Sequence, residues 1–449
     1  MAAQAKGLAI NLEFQMPVFL NTTDQDFESR FNSFLHTKRE SDSDVLEVVN
    51  GIIADVRHRG DAAVIELTQK FDRLTLTPQT LAFSTDEIEA AITRVPKAER
   101  EALELAARRI RAYHERQLPE DARWTDETGA ELGWRWSAVS SAGLYVPGGL
   151  ASYPSSVLMN AIPASVAGVK NMVICAPTPD GKVNPLVLLA AKLSGVETVY
   201  RIGGAQAIAA MAYGTATINP VDKITGPGNA FVAVAKRQVF GQVGIDMIAG
   251  PSEILVIADK ANNPDWLALD LLSQAEHDES AQSILITDDE EFGKAVAHAI
   301  EKRLETLERR VIAGKSWADY GAVITAKNLD EAAELSNRIA PEHLEICVED
   351  AEALSEKCLH AGAIFIGAYT PEAIGDYVGG PNHVLPTSRT ARFSSGLNVL
   401  DFMKKTTISK MNPASLRAIG PAAATLAQSE SLEAHGLSVT ARLEALNNE

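Results

Sequence analysis

The spacing of apolar residues in the first third of the chain is that of amphipathic helices. Apolar residues recur every three to four positions from 45 to 56. Ser84 and Glu87 have the spacing of a capping box, which predicts a helix beginning directly after the serine. A longer helix is predicted from about 98 to 117. Residues 1–36 show only weak periodicity and indicate an N-terminal arm.

From about residue 137 the pattern changes to short apolar segments separated by helical ones. The apolar segments predict seven strands, which are Ala142–Val146, Met172–Ala176, Thr198–Ile202, Ile254–Ala258, Ile284–Thr287, Ala322–Thr325 and Ala363–Ile366. Strands that are apolar along their whole length indicate parallel sheets with helices on both faces. The series is too long for one sheet, so we expect an α/β fold with two Rossmann-like parallel sheets. The last fifty residues return to a helical pattern.

The overall charge of the chain argues against some classes of partner. The 449 residues carry a formal net charge of −18, whereas nucleic acids and membrane surfaces are polyanionic. We therefore expect no nucleic acid and no membrane partner.

Cysteine usage and the N-terminal segment predict a cytoplasmic protein. The three cysteines, Cys175, Cys347 and Cys358, lack the regular spacing of a disulfide framework, which favours a reducing compartment. No CxxC pair is present, so a structural zinc site made of thiolates is not expected. No segment has the continuous apolar run of a secretory signal or of a membrane helix.

Three glycine-rich segments have the composition of turns at strand ends. They lie at Gly143–Gly149, Gly203–Gln206 and Thr225–Asn229. Such turns let backbone N–H groups approach a phosphate, and the carboxyl edge of a parallel sheet is where ligands bind. Each turn alone is explained as well by a simple tight turn, and none is the GxGxxG fingerprint. Together they are explained as well by a nucleotide crevice as by three tight turns.

Two short motifs contain residues suited to metal binding or proton transfer. Gln274 and His277 are three apart and would share one face of a helix, although by spacing alone a solvated helix face is the better explanation. Glu342 and His343 follow a proline; the histidine could accept a proton from an alcohol, and the glutamate could activate a water. The alternative for this second pair is the first turn of a helix.

Two further segments contain an acid together with a histidine. Asp376 and His383 fall in a glycine-rich segment after a predicted strand, where an aspartate could supply an oxygen ligand or simply make a turn. Glu430 and His435 are five apart near the C-terminus, a spacing that favours a solvated helix.

The order and wording of these motifs resemble the histidinol dehydrogenase family. The resemblance covers nearly the whole chain, from His58 to His435. Its most specific segments are Gly143–Gly149, Gly203–Ile208, Gly226–Asn229, Ala249–Glu253, Ser273–His277, Pro341–Glu345 and Asn382–Thr387.

The resemblance implies one zinc ion per subunit, bound by Gln274, His277, Asp376 and His435. Nitrogen and oxygen donors of this kind suit zinc and would also accept cobalt or manganese. In the family the last histidine comes from the partner subunit. The resemblance therefore implies a domain-swapped homodimer with shared active sites.

The resemblance also assigns roles to the remaining candidates. His343 matches the general base and Glu342 the residue that activates water. The positions that hold NAD match Tyr145, Gln206 and Asn229, and the substrate contacts match Ser252, His343, His383 and Glu430 together with the four zinc ligands. One departure is Ser431, where the family often has glycine.

The implied activity is an NAD-dependent four-electron oxidation of L-histidinol through L-histidinaldehyde to L-histidine, the last steps of histidine biosynthesis. One alternative is a paralogous zinc and NAD dehydrogenase for another small polar alcohol, such as a sulfonated diol. Another is a zinc-stabilised binding module without catalysis, against which the adjacent Glu342 and His343 argue.

We expect four regions in the chain. They are an N-terminal arm at 1–36, a discontinuous main α/β domain formed by 37–144 with 254–397, an inserted Rossmann-like NAD domain at 145–253, and a C-terminal helical dimerisation segment at 398–449.

Overall fold

The computed structural model describes residues 16–37, 43–147 and 153–448, which form three sheets and the helices around them. The strands are β1 Val18–Asn21, β2 Ala122–Thr125, β3 Glu131–Ala138, β4 Ser141–Tyr145, β5 Asn171–Cys175, β6 Thr198–Tyr200, β7 Lys223–Thr225, β8 Gly244–Ile245, β9 Glu253–Ala258, β10 Gln282–Thr287, β11 Ala322–Thr325, β12 His343–Cys347, β13 Ala363–Ile366 and β14 Met403–Lys410.

The helices alternate with most of these strands. They are α1 Phe27–Leu35, α2 Ser43–Arg59, α3 Asp61–Asp72, α4 Thr85–Ile92, α5 Lys97–Glu115, α6 Pro154–Ala167, α7 Pro185–Ser194, α8 Gly204–Tyr213, α9 Ala230–Val239, α10 Pro264–Ala275, α11 Glu290–Leu304, α12 Arg310–Tyr320, α13 Leu329–Ile339, α14 Ala351–Ser355, α15 Glu372–Tyr377, α16 Pro413–Ser429 and α17 Glu433–Asn447.

Two of the sheets are parallel, as expected. The first has the strand order β6-β5-β4-β7-β8. The chain enters this sheet at the central strand β4, adds β5 and β6 on one side, and then adds β7 and β8 on the other. Successive residues of β4 point to opposite faces, and Leu144 and Tyr145 join different apolar cores. Helices α4 to α7 cover one face, and α2, α3, α8 and α9 cover the other.

The second parallel sheet has the order β1-β11-β10-β9-β12-β13. Every residue of β9 is buried, because helices α10 to α12 cover one face of the sheet while α1, α13 and α14 cover the other. Burial on both faces explains why such strands are apolar throughout. All seven strand predictions are confirmed to within two residues at each end, and Ser84 and Glu87 form the predicted capping box.

The grouping of elements differs from the expected boundaries in two places. The boundary between 144 and 145 falls inside β4, and the helices between residues 43 and 115 pack on the five-stranded sheet rather than with 254–397. The described part of the expected arm belongs to the six-stranded sheet, since β1 pairs with β11 and Phe31 is fully buried beneath it. Helical periodicity shows which face of a helix is buried but not which sheet buries it, so it could not set these boundaries.

The C-terminal segment is not helical throughout. Strand β14 pairs antiparallel with β3, which also pairs with β2, and this gives a small third sheet. Helices α16 and α17 then form a hairpin and pack against each other. Leu426 and Leu437 remain 62% and 57% exposed on this hairpin. Within the described residues, no helix is long and apolar enough to cross a bilayer.

Candidate active site

A cavity of about 420 Å³ lies where the two parallel sheets meet. The five-stranded sheet contributes turns that follow the carboxyl ends of its strands, including Pro147 and Asn229. The six-stranded sheet contributes residues at the amino ends of its strands, including Ser252 and His343. The two sheets therefore present opposite edges to the same cavity.

The carboxyl edge of the five-stranded sheet brings together the glycine-rich turns after β4, β6 and β7. Tyr145 is buried at the end of β4, and its hydroxyl oxygen accepts a hydrogen bond of 3.0 Å from the backbone N–H of Gly204. Burial raises the pKa of Tyr145 to about 12, so its hydroxyl stays protonated. The Gly204 backbone has a φ of +65°, which brings the buried Gln206 amide against it. The part of the first turn at 148–149 lies outside the described residues.

The turn after β7 is held by a buried ion pair. Gly226 donates its N–H to Asp246 Oδ2 over 2.8 Å and accepts from Lys236 Nζ over 2.9 Å, while the lysine and the aspartate also pair with each other. Asn229 caps α9 by accepting from the N–H of Val232. Of the three NAD candidates, only Asn229 lines the cavity.

His343 is the first residue of β12 and is buried at the amino edge of the six-stranded sheet. The alternative of a helical turn at this motif is therefore wrong. His343 Nδ1 lies 2.9 Å from the carbonyl oxygen of Glu253. A carbonyl oxygen only accepts, so Nδ1 carries the proton and Nε2 presents its lone pair. Nε2 is buried, without a hydrogen-bond partner among the described residues, and lies 4.0 Å from Asp376 Oδ1.

Burial also sets the charge of this histidine. Removal from water lowers the pKa of His343 below its ordinary value, and this effect outweighs the opposing attraction of Asp376. The ring is therefore neutral near pH 7 and able to accept a proton.

Glu342 is buried beside the histidine and lines the cavity. Its Oε2 accepts a hydrogen bond of 2.9 Å from the backbone N–H of Glu253 and lies 3.7 Å from His343 Nδ1. The start of β9 thus holds both members of the motif, one through its N–H group and the other through its carbonyl.

The candidate ligands Gln274, His277 and Asp376 all line the same cavity, but two of them differ in local structure from expectation. Helix α10 ends at Ala275, so His277 follows the helix rather than sharing a face with Gln274. Asp376 lies on the short helix α15 rather than in a loop. Spacing alone did not locate the helix ends.

The donor set at the cavity suits a zinc ion. His277 Nδ1 is buried, and the described part of the chain offers it no hydrogen-bond partner. The Asp376 carboxylate and the Gln274 amide lie at the same cavity, and nitrogen and oxygen donors of these types bind zinc. His383 completes this side of the site, with Nδ1 donating to the carbonyl oxygen of Asp376 over 2.9 Å.

Glu430 and His435 do not join this cavity within one chain. Both are exposed at the turn of the C-terminal hairpin, and neither is among the described residues that line the cavity. Ser431 between the two helices has a φ of +60°. Glycine adopts this left-handed conformation without strain, whereas a serine there costs about 1 kcal/mol.

Three carboxyl groups beside the site were not expected from the sequence, of which Glu372 and Glu345 are buried and Asp270 is half-buried. Glu372 lies on α15 with Oε1 3.6 Å from His343 Nδ1, and Glu345 and Asp270 lie behind it. Burial raises the pKa of all three, that of Asp270 to about 6. Of the three, only Glu345 could have been noticed in the sequence, because it is a glutamate that stands between apolar residues at the end of the Pro341–Glu345 motif.

A second cavity of about 790 Å³ reaches the same histidines from another side. Arg109 and Tyr113 of α5 line it, together with His343, Asp376 and His383. These last three residues therefore form a wall between two openings.

A family model described as histidinol dehydrogenase matches residues 35–443 of the chain. The chain belongs to the histidinol dehydrogenase family. Among its relatives, the histidinol dehydrogenase of Ruegeria pomeroyi is 76% identical over 432 residues, which is 96% of this chain and 100% of the relative. That of Cereibacter sphaeroides is 72% identical over the same shares.

A solved structure of a histidinol dehydrogenase has the same fold. The crystal structure from Elizabethkingia anophelis superposes with a TM-score of 0.91 at 37% identity, covering 96% of this chain and 99% of the other. The family assignment confirms the expected oxidoreductase class, and histidinol dehydrogenases use NAD and zinc. It does not favour the sulfonated-diol alternative.

Proposed function

We propose that this chain oxidises L-histidinol in two NAD-dependent steps, through L-histidinaldehyde, to L-histidine. The observation that carries the proposal is the neutral His343, with a buried lone pair on Nε2, at a cavity shared with glycine-rich turns and candidate zinc ligands. A binding module without catalysis would have no need for an unpaired buried base.

His343 acts as the general base in both oxidations. Its Nδ1 is committed to the carbonyl of Glu253, so only Nε2 can accept the proton of the substrate hydroxyl. The lowered pKa keeps Nε2 unprotonated between turnovers. In the second step the same atom accepts a proton from a hydroxyl of the hydrated aldehyde.

Glu342 activates the water that adds to the aldehyde. Its position is fixed by the N–H of Glu253, and its side chain lines the cavity where the aldehyde would be held. A carboxylate in that place can take the proton of the attacking water. The walls of the cavity retain the aldehyde until it is oxidised.

The proposed zinc ligands are Gln274, His277 and Asp376, with His435 of the partner subunit. The cavity lining and the unpartnered His277 Nδ1 support the first three. When bound, zinc would hold the imidazole and amino nitrogens of the substrate in place, and NAD would take up the electrons of each oxidation. We assign Tyr145, Gln206 and Asn229 to NAD, and Ser252, His383 and the partner's Glu430 to the substrate.

The C-terminal hairpin supports a homodimer with shared sites. Two helices that pack mainly on each other leave leucines such as Leu426 and Leu437 exposed, and apolar residues clustered in this way indicate a protein contact. We further propose a cytoplasmic location, which the three free thiols support.

The activity is tested by following NADH absorbance with L-histidinol, before and after removal of the metal by a chelator. We expect two NADH per histidinol, loss of activity on chelation, and recovery with added zinc. A sulfonated diol measured in parallel is the control. A higher kcat/KM on the diol would contradict the proposed substrate.

Sharing of the active site is tested by mixing two inactive variants. A His343→Ala subunit retains His435, and a His435→Ala subunit retains His343. If each site is built from two chains, mixed dimers contain one complete site and regain activity, whereas each variant alone stays inactive. Inactive mixed dimers, verified by mass, would mean that each site is confined to one chain.

A further inference from the structure

The side-chain amide of Gln274 is only 1% exposed and lies against the carboxylate of Glu372. With its nitrogen towards Glu372, the amide is 2.5 Å from Oε1 and 3.2 Å from Oε2 and can donate to both. The opposite orientation would set the amide oxygen against the two oxygens of Glu372, which both act as acceptors when that group is ionised. The nitrogen therefore faces Glu372, which leaves the amide oxygen as the atom available to a cation.

Glu372 is itself held firmly. It is the first residue of α15, and its backbone N–H donates to Glu345 Oε1 over 2.6 Å. The side chain of Glu345 in β12 lies beside the carboxyl group of Asp270, which is one turn before Gln274 on α10. The contacts thus form a closed ring that runs from α10 through β12 and α15 and back to α10.

We propose that Glu372 is a positioning residue that fixes the amide of Gln274, so that its oxygen faces the zinc ion. An amide nitrogen is a donor with no lone pair for a metal, so only one of the two amide orientations can ligate. The inference rests on the zinc ligands proposed above. Partners behind metal ligands orient them in this way, and their removal weakens metal binding by about 10–100-fold.

The competing role for Glu372 is that of a ligand. Its carboxylate, His343 and Asp376 place ligand-type atoms within 4.8 Å of one another. The two roles predict different results for Glu372→Gln. A glutamine can still accept from Gln274 through its own amide oxygen, whereas it replaces a carboxylate ligand poorly.

The experiment measures zinc affinity of the full-length protein by competition with a chelator. Cobalt in place of zinc gives visible absorption bands that report the ligand geometry. The variants are Glu372→Met, Glu372→Gln, Gln274→Ala and the double variant Gln274→Ala with Glu372→Met. Glu352→Met, an exposed substitution of the same type on α14, is the matched control.

We expect Glu372→Met to weaken zinc about 10–100-fold and to change the cobalt bands. Glu372→Gln should stay within about threefold of the unmodified protein, as should the control. The double variant should bind zinc no more weakly than Gln274→Ala alone, because Glu372 has nothing left to orient. Circular dichroism of the metal-free proteins checks folding, and Glu372→Ala replaces the Met variant if that one unfolds.

Two results would overturn the inference. One is a loss in Glu372→Gln as large as in Glu372→Met, which would make Glu372 a ligand. The other is a further loss in the double variant beyond that of Gln274→Ala. Unchanged zinc affinity in Gln274→Ala would instead overturn the proposed ligand set, so the two failures are distinguishable.

Discussion

The two parallel sheets contribute to the cavity in different ways. The five-stranded sheet meets it with its carboxyl edge, where glycine turns and backbone groups are held in place by Tyr145 and by the pair Lys236 and Asp246. The six-stranded sheet meets it with its amino edge, where buried, titratable side chains gather. In the proposed function, the first edge approaches the ligand closely and the second supplies the groups that transfer protons.

The connection after β9 explains how an amino edge can hold so many functional groups. Helix α10 runs back from the carboxyl end of β9, so its last turn arrives beside the starts of β9 and β12. Gln274 and His277 therefore lie next to Glu342 and His343, although the two pairs are far apart in the chain. Substitutions at this edge should change kcat, and those at the carboxyl edge should change KM for NAD.

The largest effect is expected for His343→Ala. Loss of a general base costs about 10²–10⁴-fold in rate, so kcat should fall by that amount while the Kd for NAD changes little. Steady-state kinetics together with fluorescence titration of NADH measure both. A comparable loss of NADH affinity would break the separation between the two edges.

Glu342→Gln should slow the aldehyde step more than the alcohol step. An amide cannot take a proton from water, so oxidation of L-histidinaldehyde should fall about a hundredfold. Single-turnover measurements started from each substrate separate the two half-reactions. Equal losses in both would contradict the role of activating water.

Lowering the pH should reproduce part of the loss of rate that is expected for His343→Ala. Its pKa lies below the ordinary 6.5 because burial disfavours the charged ring, and only the neutral ring accepts a proton. The rate should be level above about pH 6.5 and fall about tenfold per unit below the lowered pKa. The histidine binds protons more readily in the unfolded chain, so the free energy of unfolding also decreases as the pH is lowered. An acid limb centred above 6.5 would contradict this assignment.

The smallest effect is expected at the carboxyl edge. Tyr145→Phe removes the acceptor of one hydrogen bond, from the N–H of Gly204, at a cost of about 1 kcal/mol. KM for NAD should rise about fivefold, with kcat unchanged. A fall in kcat without a change in KM would show that the two edges are not separable.

The apolar pattern of the sequence located the strands that are buried on both faces. It missed strands in which the run of apolar residues is interrupted. Strands such as β9 and β11 are uniformly apolar and were located closely. Strand β12 contains Glu345, a buried acid that resembles a surface position, and the short strand β7 begins with the polar Lys223. The strand β14 belongs to an antiparallel sheet with an exposed face, so its polar residues hid it.

The candidate site was predicted mainly from the order of motifs. Spacing suggested the pairing of Gln274 and His277, but it could not show that the helix ends between them. Glu372 was missed because its importance depends on contacts with Gln274 and Glu345, which only the folded chain brings together. Of the carboxyl groups beside the site, only Glu345, which stands between apolar residues, has a recognisable local pattern.

The edge strand β1 has a consequence for how the chain is made. Val18 pairs with Ala322, so β1 has its partner strand only after roughly 300 more residues have been made, or about 15–60 s at typical rates of synthesis. Meanwhile Phe27 and Phe31 have no core to enter. The N-terminal segment must therefore stay unaggregated until synthesis reaches β11.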